Sequence, residues 1–221
     1  MLTVSHEVVS VELDLVGGLL ACPGCRGRLR PWGWARERLI RHGVGSDLAL
    51  VRGRPRRGRC ADCLATHVLL GVDLAARRAD TAAVIAAAVE AKVASGAGHR
   101  PIAGWLGRPV STVRGWLRAF MVSSTGIMEA FTALVHRDGA DAAGLWPAPA
   151  TGPAGGALAA VAAYAGVLAA RFSVGTVAWQ SAGLAVAGPF FFSASRWQDR
   201  VQHELALMPG MAGGKGGRSA G

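Results

Sequence analysis

Cys22-Pro-Gly-Cys25 and Cys60-Ala-Asp-Cys63 are two cysteine pairs of identical spacing, separated by residues 26–59. Two intervening residues let both thiolates of one turn reach the same ion, and the glycine beside Cys25 suits the tight backbone of such a turn. Two such turns complete a tetrahedral shell of four sulfurs with no open position. The spacing therefore predicts a structural zinc site whose ligands are Cys22, Cys25, Cys60 and Cys63.

The alternatives to zinc for these four cysteines are a reduced site without metal, a redox-active pair or an iron centre. Residues 1–10 lack the basic start and apolar core of a secretory signal, so we expect a reducing cytoplasm. Paired cysteines there are more often metal ligands than disulfides. His42 and His67 could replace a cysteine, but the quartet already fills the shell, so we expect both to be ordinary histidines.

Short β-compatible stretches surround the cysteines. Apolar residues alternate with polar ones over residues 9–15, which predicts an N-terminal strand. Three further stretches lie between the cysteine pairs, at residues 28–34, 36–41 and 48–54. This connection is longer than the commonest zinc-ribbon spacing, which predicts a third strand or an enlarged hairpin. We expect residues 1–75 to form a small β zinc ribbon with an N-terminal strand.

This ribbon has few large apolar residues with which to build a core. Within the segment between the cysteine pairs there are few beyond Leu29, Trp32, Trp34, Leu39 and Ile40. Metal coordination must therefore offset much of the cost of ordering the chain.

A helical pattern replaces the β pattern from Asp80 onward. Apolar residues recur at three and four positions, with Asp80 or Thr81 as N-cap and Gly96 as the stop. In the run PIAGWLGRPVSTVRGWLR, residues 101–118, Gly107 supplies a turn and Pro109 fits the first turn of the next helix. The pattern predicts a helix-turn-helix within residues 78–137, with an ordinary helical hairpin as the alternative.

The outward face of the second helix carries the candidate DNA contacts. Val113, Trp116 and Leu117 are predicted to face the core. In this motif the opposite face enters the major groove, and its residues here are Ser111, Thr112, Arg114 and Arg118. Arg108 occupies a turn position where an apolar residue is more usual, and it is a further candidate contact.

Positive charge is concentrated in one part of the chain. The net charge is +10, and residues 22–120 hold 18 arginines or lysines against 6 acidic residues. Such a field suits a polyanion, although a solvated surface is the alternative. Residues 26–59 alone carry 11 arginines. The candidate phosphate contacts in the ribbon are Arg54, Arg56, Arg57 and Arg59.

The C-terminal part differs in composition. Residues 138–153 are predicted to be a linker, residues 154–207 a helical region rich in alanine and glycine, and residues 208–221 a disordered tail. Residues 172–195 carry no charge and raise the possibility of a membrane span, but serine, glycine and proline dilute their hydrophobicity. We favour a packed or partner-binding helical region. The predicted fold class is therefore α+β, with the ribbon, the helix-turn-helix and C-terminal helices in that order.

The run RRGRCADCLATHVLL, residues 56–70, with the first cysteine pair upstream and the helical pattern downstream, resembles the N-terminal DNA-binding part of bacterial insertion-sequence transposases. More closely, it resembles an uncharacterised actinobacterial family that keeps this part without a catalytic domain and is often associated with mobile elements. The resemblance covers roughly residues 20–120. It implies that the four cysteines bind zinc and that residues 111–118 read DNA.

Transposase chemistry needs three spaced carboxylates on an α/β core. After residue 120 the carboxylates are Glu129, Asp138, Asp141, Asp199 and Glu204, without an alternating strand and helix pattern around them. We expect a non-catalytic, cytoplasmic and nucleoid-associated protein that binds double-stranded DNA, with no small-molecule substrate and no membrane span. It would act as a regulator or mobile-element accessory, as a homo-oligomer or with a transposase partner. The alternatives are a truncated transposase remnant and a membrane-tethered regulator.

Overall fold

The computed structural model of this chain describes residues 1–5, 7–139, 144 and 150–206. It combines a small sheet, a separate β hairpin and several helices, so the predicted α+β class is confirmed. The strands are β1 (Leu2–Val4), β2 (Leu29–Trp34), β3 (Arg38–His42), β4 (Ala49–Gly53), β5 (Arg56–Cys60) and β6 (Thr66–Gly71). The helices are α1 (Val8–Val16), α2 (Ala82–Ser95), α3 (His99–Leu106), α4 (Val110–Asp138), α5 (Gly152–Arg171), α6 (Trp179–Ala187) and α7 (Gln198–Ala206).

Four strands form one sheet in the order β1-β6-β5-β2. β1 runs parallel to β6, and the other neighbours are antiparallel. β2 is therefore an edge strand. Its register with β5 shifts between Pro31 and Trp34, which is the position of a β-bulge.

The strand predicted over residues 9–15 is wrong, because this segment lies within the helix α1. Val11 and Leu15, four residues apart, form one buried helical stripe against the sheet. Val9 and Leu13, which a strand would place on that same face, are 72% and 68% exposed. Apolar residues here fit both the two-residue spacing of a strand and the four-residue spacing of a helix, so the sequence pattern alone does not distinguish the two. Packing against the sheet selects the helix.

The inner face of the sheet and α1 enclose a small core. Its buried members are Leu2, Val11, Leu15, Cys22, Leu29, Cys60 and Leu69. Two of these residues are cysteines of the predicted metal site. The packing of the sheet and the position of the thiols therefore depend on each other.

β3 and β4 pair with each other and lie outside the four-stranded sheet. They correspond to the predicted stretches at residues 36–41 and 48–54, so the connection between the cysteine pairs does contain an extra hairpin. Its β3 edge docks on the segment that precedes α2. The Arg41 N–H donates to the Ala79 carbonyl at 2.7 Å, and the Thr81 N–H donates to the Arg41 carbonyl at 3.1 Å.

The helical part begins as the sequence indicates. Thr81 is the N-cap of α2, and Gly96 ends it with a left-handed φ of 66°. Gly107, also left-handed, ends α3. Pro109 is the N-cap of α4, one position before the helical turn predicted for it, and α4 then continues for 29 residues to Asp138.

One continuous cluster of buried residues joins α2, α3 and α4 to the C-terminal helices. Tyr164 of α5 meets Phe131 of α4 edge to face at 5.8 Å between ring centroids, and Trp179 of α6 meets Phe120 at 5.9 Å. Aromatic pairs in this geometry add to the stabilisation from area burial. The predicted helix-turn-helix region and the predicted C-terminal helical region therefore share one hydrophobic core.

Two predictions fall largely on residues that the structure does not describe. Of the linker predicted over residues 138–153, the described positions are 138, 139, 144 and 150–153. The tail predicted over residues 208–221 lies wholly outside the described residues.

One helix is long and apolar enough to cross a membrane, judged by length and composition only, and it is α5. Half of its apolar window is buried inside the protein, and a core helix of a soluble protein passes the same test. The uncharged residues 172–195 contain only the nine-residue α6. A helical span needs about 20 residues, so α6 is too short to be one.

A buried carboxylate joins the hairpin, the start of α2 and the turn between α3 and α4. Asp80 is 2% exposed. It accepts hydrogen bonds from Arg41 Nε at 3.1 Å and Arg41 Nη2 at 2.6 Å, and from Arg108 Nε at 2.5 Å. Arg108 also donates to the carbonyls of Leu106 at 2.9 Å and Gly43 at 3.0 Å. Three separate segments are thereby fixed to one another.

We expect Asp80→Ala to lower the free energy of unfolding by about 3 to 5 kcal/mol, because it leaves the buried Arg108 guanidinium without its counter-charge. Urea titration followed by circular dichroism measures the loss. Glu37→Ala is the control, since it breaks an exposed ion pair with Arg52 and should cost less than about 1 kcal/mol. Equal stability of the two variants would show that the carboxylate does not hold these segments together.

Candidate metal centre and nucleic-acid interface

Four cysteine thiols converge beside the sheet. Cys22 and Cys25 lie in the turn between α1 and β2, Cys60 ends β5, and Cys63 lies in the turn before β6. All four sulfurs lie within 4.8 Å of one another. The Cys22 and Cys63 sulfurs are 3.7 Å apart, and those of Cys25 and Cys60 are 3.4 Å apart. The predicted quartet therefore forms a cluster that could hold a metal ion.

The spacing of the sulfurs fits a tetrahedral metal site. A zinc–sulfur bond of about 2.3 Å places the four sulfurs of a tetrahedron about 3.8 Å apart, close to the separations observed. None of the four cysteines is in a disulfide. Cys22 and Cys60 are 1% exposed, whereas Cys25 and Cys63 are exposed, so the site lies where the small core meets solvent. The donor set and its geometry are compatible with zinc.

The two cysteine turns share one backbone shape. The residue that follows each pair has a left-handed conformation, Arg26 with φ of 64° and Leu64 with φ of 62°. Neither is glycine, although this conformation costs an L-residue roughly 1 to 2 kcal/mol. Gly24, the glycine expected to give the first turn its tight backbone, has no positive φ, and an added Cβ there would meet only the Cys22 sulfur at 3.9 Å.

Gly27 is the glycine that the cluster requires. An added Cβ would overlap the carboxylate of Asp62 and lie 2.9 Å from the Cys60 sulfur. Its carbonyl accepts a hydrogen bond from the Cys22 N–H at 2.7 Å. Gly27 thus fills the narrow space between the two turns. The spacing of the cysteines gives no signal for it, because the contact joins residues far apart in the sequence.

Backbone N–H groups around the sulfurs favour a thiolate. The N–H of Cys63, assisted by that of Asp62, lowers the pKa of Cys60 to about 7 against the opposing effect of burial. At Cys25 the N–H of Gly27 acts in the same direction, but hydrogen bonds with the neighbouring thiols outweigh it and raise the pKa to about 12. The Cys60 sulfur therefore ionises more readily than that of Cys25, whose proton a divalent metal would displace.

His67 lies beside the cysteine cluster. Its Nε2 is 3.3 Å from the Cys22 sulfur. Burial lowers the pKa of His67, with a smaller effect from the N-terminal amine, which favours a neutral ring. A neutral imidazole can donate a hydrogen bond to a thiolate ligand and so fix its position. The other histidine considered, His42, ends β3 in the separate hairpin.

The start of α4 presents the predicted contact residues to solvent. Ser111, Arg114 and Arg118 are exposed, and Thr112 is half-buried. The opposite face packs into the helical core through Val113, Trp116 and Leu117. The first acidic residue of α4 is Glu129. The helix therefore offers a polar and positively charged face over its first turns.

Arg108 is not part of this face, which corrects its prediction as a DNA contact. Its side chain is 1% exposed, and its guanidinium is occupied by the Asp80 carboxylate and two carbonyls. The turn position that usually holds an apolar residue is buried here too, but an ion pair fills it. The number of charged residues in this part of the sequence could not reveal that Arg108 is buried in an ion pair, because its partner Asp80 lies 28 residues earlier.

The four ribbon arginines predicted to contact phosphates have different surroundings. Arg56 donates to both oxygens of the Glu12 carboxylate, at 2.7 and 2.8 Å, so its charge is already neutralised. Arg54 is exposed and donates to a backbone carbonyl. Arg57 and Arg59 are partly exposed on β5. Arg56 is thus the weakest of the four candidates for a phosphate contact.

Two tryptophans considered only as core residues lie at the surface beside these arginines. Trp32 and Trp34 are 49% and 45% exposed. The Arg59 guanidinium carbon lies 4.4 Å from the centroid of the Trp32 ring, and that of Arg56 lies 4.9 Å from Trp34. The available signal for this surface was the spacing of Arg30, Trp32 and Trp34 at every second position of β2.

We expect Gly27→Ala to weaken metal retention by at least about tenfold, because the added methyl forces Asp62 or the Cys60 sulfur away from its position. Competition with a zinc chelator measures the effect on the purified protein. Gly24→Ala is the matched control, since it adds the same methyl two residues from a cysteine where there is room. Identical retention by both variants would contradict the packing argument.

Comparison with known proteins does not assign this chain. No family model, no curated protein and no solved structure matches it. The resemblance to transposase N-terminal parts accordingly stays an expectation from sequence motifs.

Proposed function

We propose that this protein binds double-stranded DNA without catalysis, through the start of α4 and the arginine-rich strands of the sheet. The observation that carries the proposal is the exposed face of Ser111, Arg114 and Arg118, backed by the fully packed side of the same helix. A rigid helix with a positive, acid-free face fits the major groove, where side chains reach base edges.

The arrangement of α3 and α4 supports a helix-turn-helix mode. α3 ends at the left-handed Gly107, and α4 starts three residues later at Val110. The free N–H groups of the first turn of α4 and the positive end of its dipole favour a nearby phosphate. In this mode α3 would cross the DNA backbone while Arg114 reaches into the groove.

We further propose that the cysteine cluster holds a structural zinc ion. Four thiol ligands leave no position open for a substrate, so the ion would stabilise the fold of the sheet. The support is the tetrahedral spacing of the sulfurs together with the small size of the core beside them. The sheet would then present Arg54, Arg57 and Arg59 to phosphates.

The proposal includes the absence of DNA cleavage. Among the described residues, the cysteines form the one group of three or more metal-ligating side chains with close ligand atoms. The Asp138 carboxylate is held by Arg137 and the Tyr164 hydroxyl. With the motif resemblance, this favours a cytoplasmic, nucleoid-associated accessory or regulator of a mobile element. Magnesium-dependent cutting of supercoiled DNA by the pure protein would contradict this part.

Purified protein should contain about one zinc ion per chain, measured by elemental analysis. We expect Cys60→Ser to lose the ion and to unfold the sheet while most of the helical circular dichroism signal remains, because the helical core is separate. His67→Ala is the control and should keep about one zinc ion, since His67 lies outside the quartet. Normal folding of metal-free wild-type protein would show that zinc is not structural.

We expect Arg114→Ala to weaken binding to a preferred duplex by about 1 to 3 kcal/mol and to relax discrimination at one base pair. Arg57→Ala should instead weaken binding to all duplexes alike and reduce the slope of log affinity against log salt by about one unit. Binding isotherms at several salt concentrations, on a selected site and on random DNA, separate these two effects.

Arg171→Ala is the charge-matched control for both variants. Arg171 is the last residue of α5 and lies near Asp138, the last residue of α4. Arg114 lies near the opposite end of α4. The rise of 1.5 Å per residue places these ends of α4 about 36 Å apart. Arg171→Ala should therefore leave affinity nearly unchanged. Equal losses for all three variants would mean that binding depends on net charge alone.

A further inference from the structure

The outer face of the sheet differs from the face that packs against α1. Leu29 and Cys60 are paired neighbours on the buried inner face. The next pair, Arg30 and Arg59, therefore points outward, because side chains alternate along a strand. Two residues further along each strand, the outer face continues with Trp32 and Arg57. We name Arg30, Trp32, Arg57 and Arg59 the arginine–tryptophan face.

This face combines an exposed ring with unbalanced positive charge. Trp32 is 49% exposed, and Arg59 lies against its ring at 4.4 Å. Arg30, Arg57 and Arg59 have no carboxylate partner among the described residues, unlike Arg56 of β5, which is paired with Glu12. A surface of this composition attracts a polyanion that also carries flat, apolar groups.

Duplex DNA supplies the charge but not the flat groups, because its bases are stacked on each other inside the helix. Unpaired nucleotides supply both. A base stacked on an exposed aromatic ring contributes about 1 to 3 kcal/mol, and adjacent arginines contact the phosphates on either side. The chemistry of the arginine–tryptophan face thus matches single-stranded nucleic acid.

We propose that the arginine–tryptophan face binds unpaired nucleotides, with a base stacked on Trp32 and phosphates bound by Arg30 and Arg57. This inference rests on the proposed DNA-binding function and deepens it, because it gives the sheet a second ligand, unpaired nucleotides, beside the duplex phosphates that Arg57 and Arg59 contact. Arg59 lies over one face of the Trp32 ring, so the base would stack on the other face.

The neighbouring Trp34 provides a matched comparison within the same strand. It is 45% exposed and also has an arginine over its ring, Arg56 at 4.9 Å. It lies on the other side of the bulge, however, and Arg56 is paired with Glu12 of α1. Trp34 thus faces a carboxylate that repels phosphate, and it should contribute little.

The test is fluorescence anisotropy with a labelled oligothymidine of about 15 nucleotides, in the size range of single-strand sites. Trp32→Ala should weaken binding by roughly 5- to 100-fold, whereas Trp32→Phe should keep most of the affinity. Trp34→Ala should change it less than about twofold. Equal losses for Trp32→Ala and Trp34→Ala, or none for either, would overturn the proposal.

An abasic oligonucleotide of the same length keeps the phosphates and removes the bases. Wild-type protein should bind it about as weakly as Trp32→Ala binds oligothymidine, and this arm needs no variant to fold. Equal affinity of wild-type protein for both oligonucleotides would overturn the proposal. Oligouridine in a parallel arm shows whether the unpaired strand is DNA or RNA, and binding of either one supports stacking.

A duplex arm separates this inference from the proposed function. Trp32→Ala should bind duplex DNA within about twofold of wild type. Duplex binding with no measurable single-strand binding would reject the arginine–tryptophan face and leave the α4 proposal intact. Trp32-dependent binding of single strands without duplex binding would reject the α4 proposal and leave the arginine–tryptophan face intact.

Discussion

The ion pair between the buried Asp80 carboxylate and Arg108 is the constraint on which the rest of the arrangement depends. It brings the start of α2 and the turn before α4 to one point, and Arg41 adds the hairpin to the same carboxylate. A buried charge is tolerated only when it is paired and hydrogen-bonded. Since Arg41 and Arg108 share this one carboxylate, any shift of Asp80 would leave both arginines without their counter-charge. The position of α4 relative to the hairpin is therefore strongly specified.

The two parts of the molecule are stabilised differently. The helices share a large core with several aromatic contacts, whereas the sheet and α1 enclose only a handful of buried side chains, two of them cysteines. A core of that size contributes little to stability by itself. The proposed zinc ion would therefore act where hydrophobic burial is weakest. Its loss should affect the sheet first and the helices second.

Local and long-range contacts explain how far the fold and site could be predicted. The turn of each cysteine pair, the caps of α2 and the buried stripe of α4 depend on residues close in sequence, so their spacing was sufficient. The meeting of the two cysteine pairs was predicted from the four ligands that a zinc ion needs. Three features depend on contacts that no spacing encodes. They are α1, where packing selects the helical stripe, Arg108, whose partner lies 28 residues away, and Gly27, whose space is filled by Asp62.

The bulge in β2 has a consequence for solubility. An exposed edge strand offers free backbone groups to any other strand, and tryptophans on it add to the risk of association. Here the first part of that edge is covered by the bridge between Ala21 and Arg28. Beyond it, Pro31 lacks an N–H and the register shift interrupts the regular ladder. The strand can therefore carry an exposed aromatic ring without serving as a template for amyloid-like stacking of further chains.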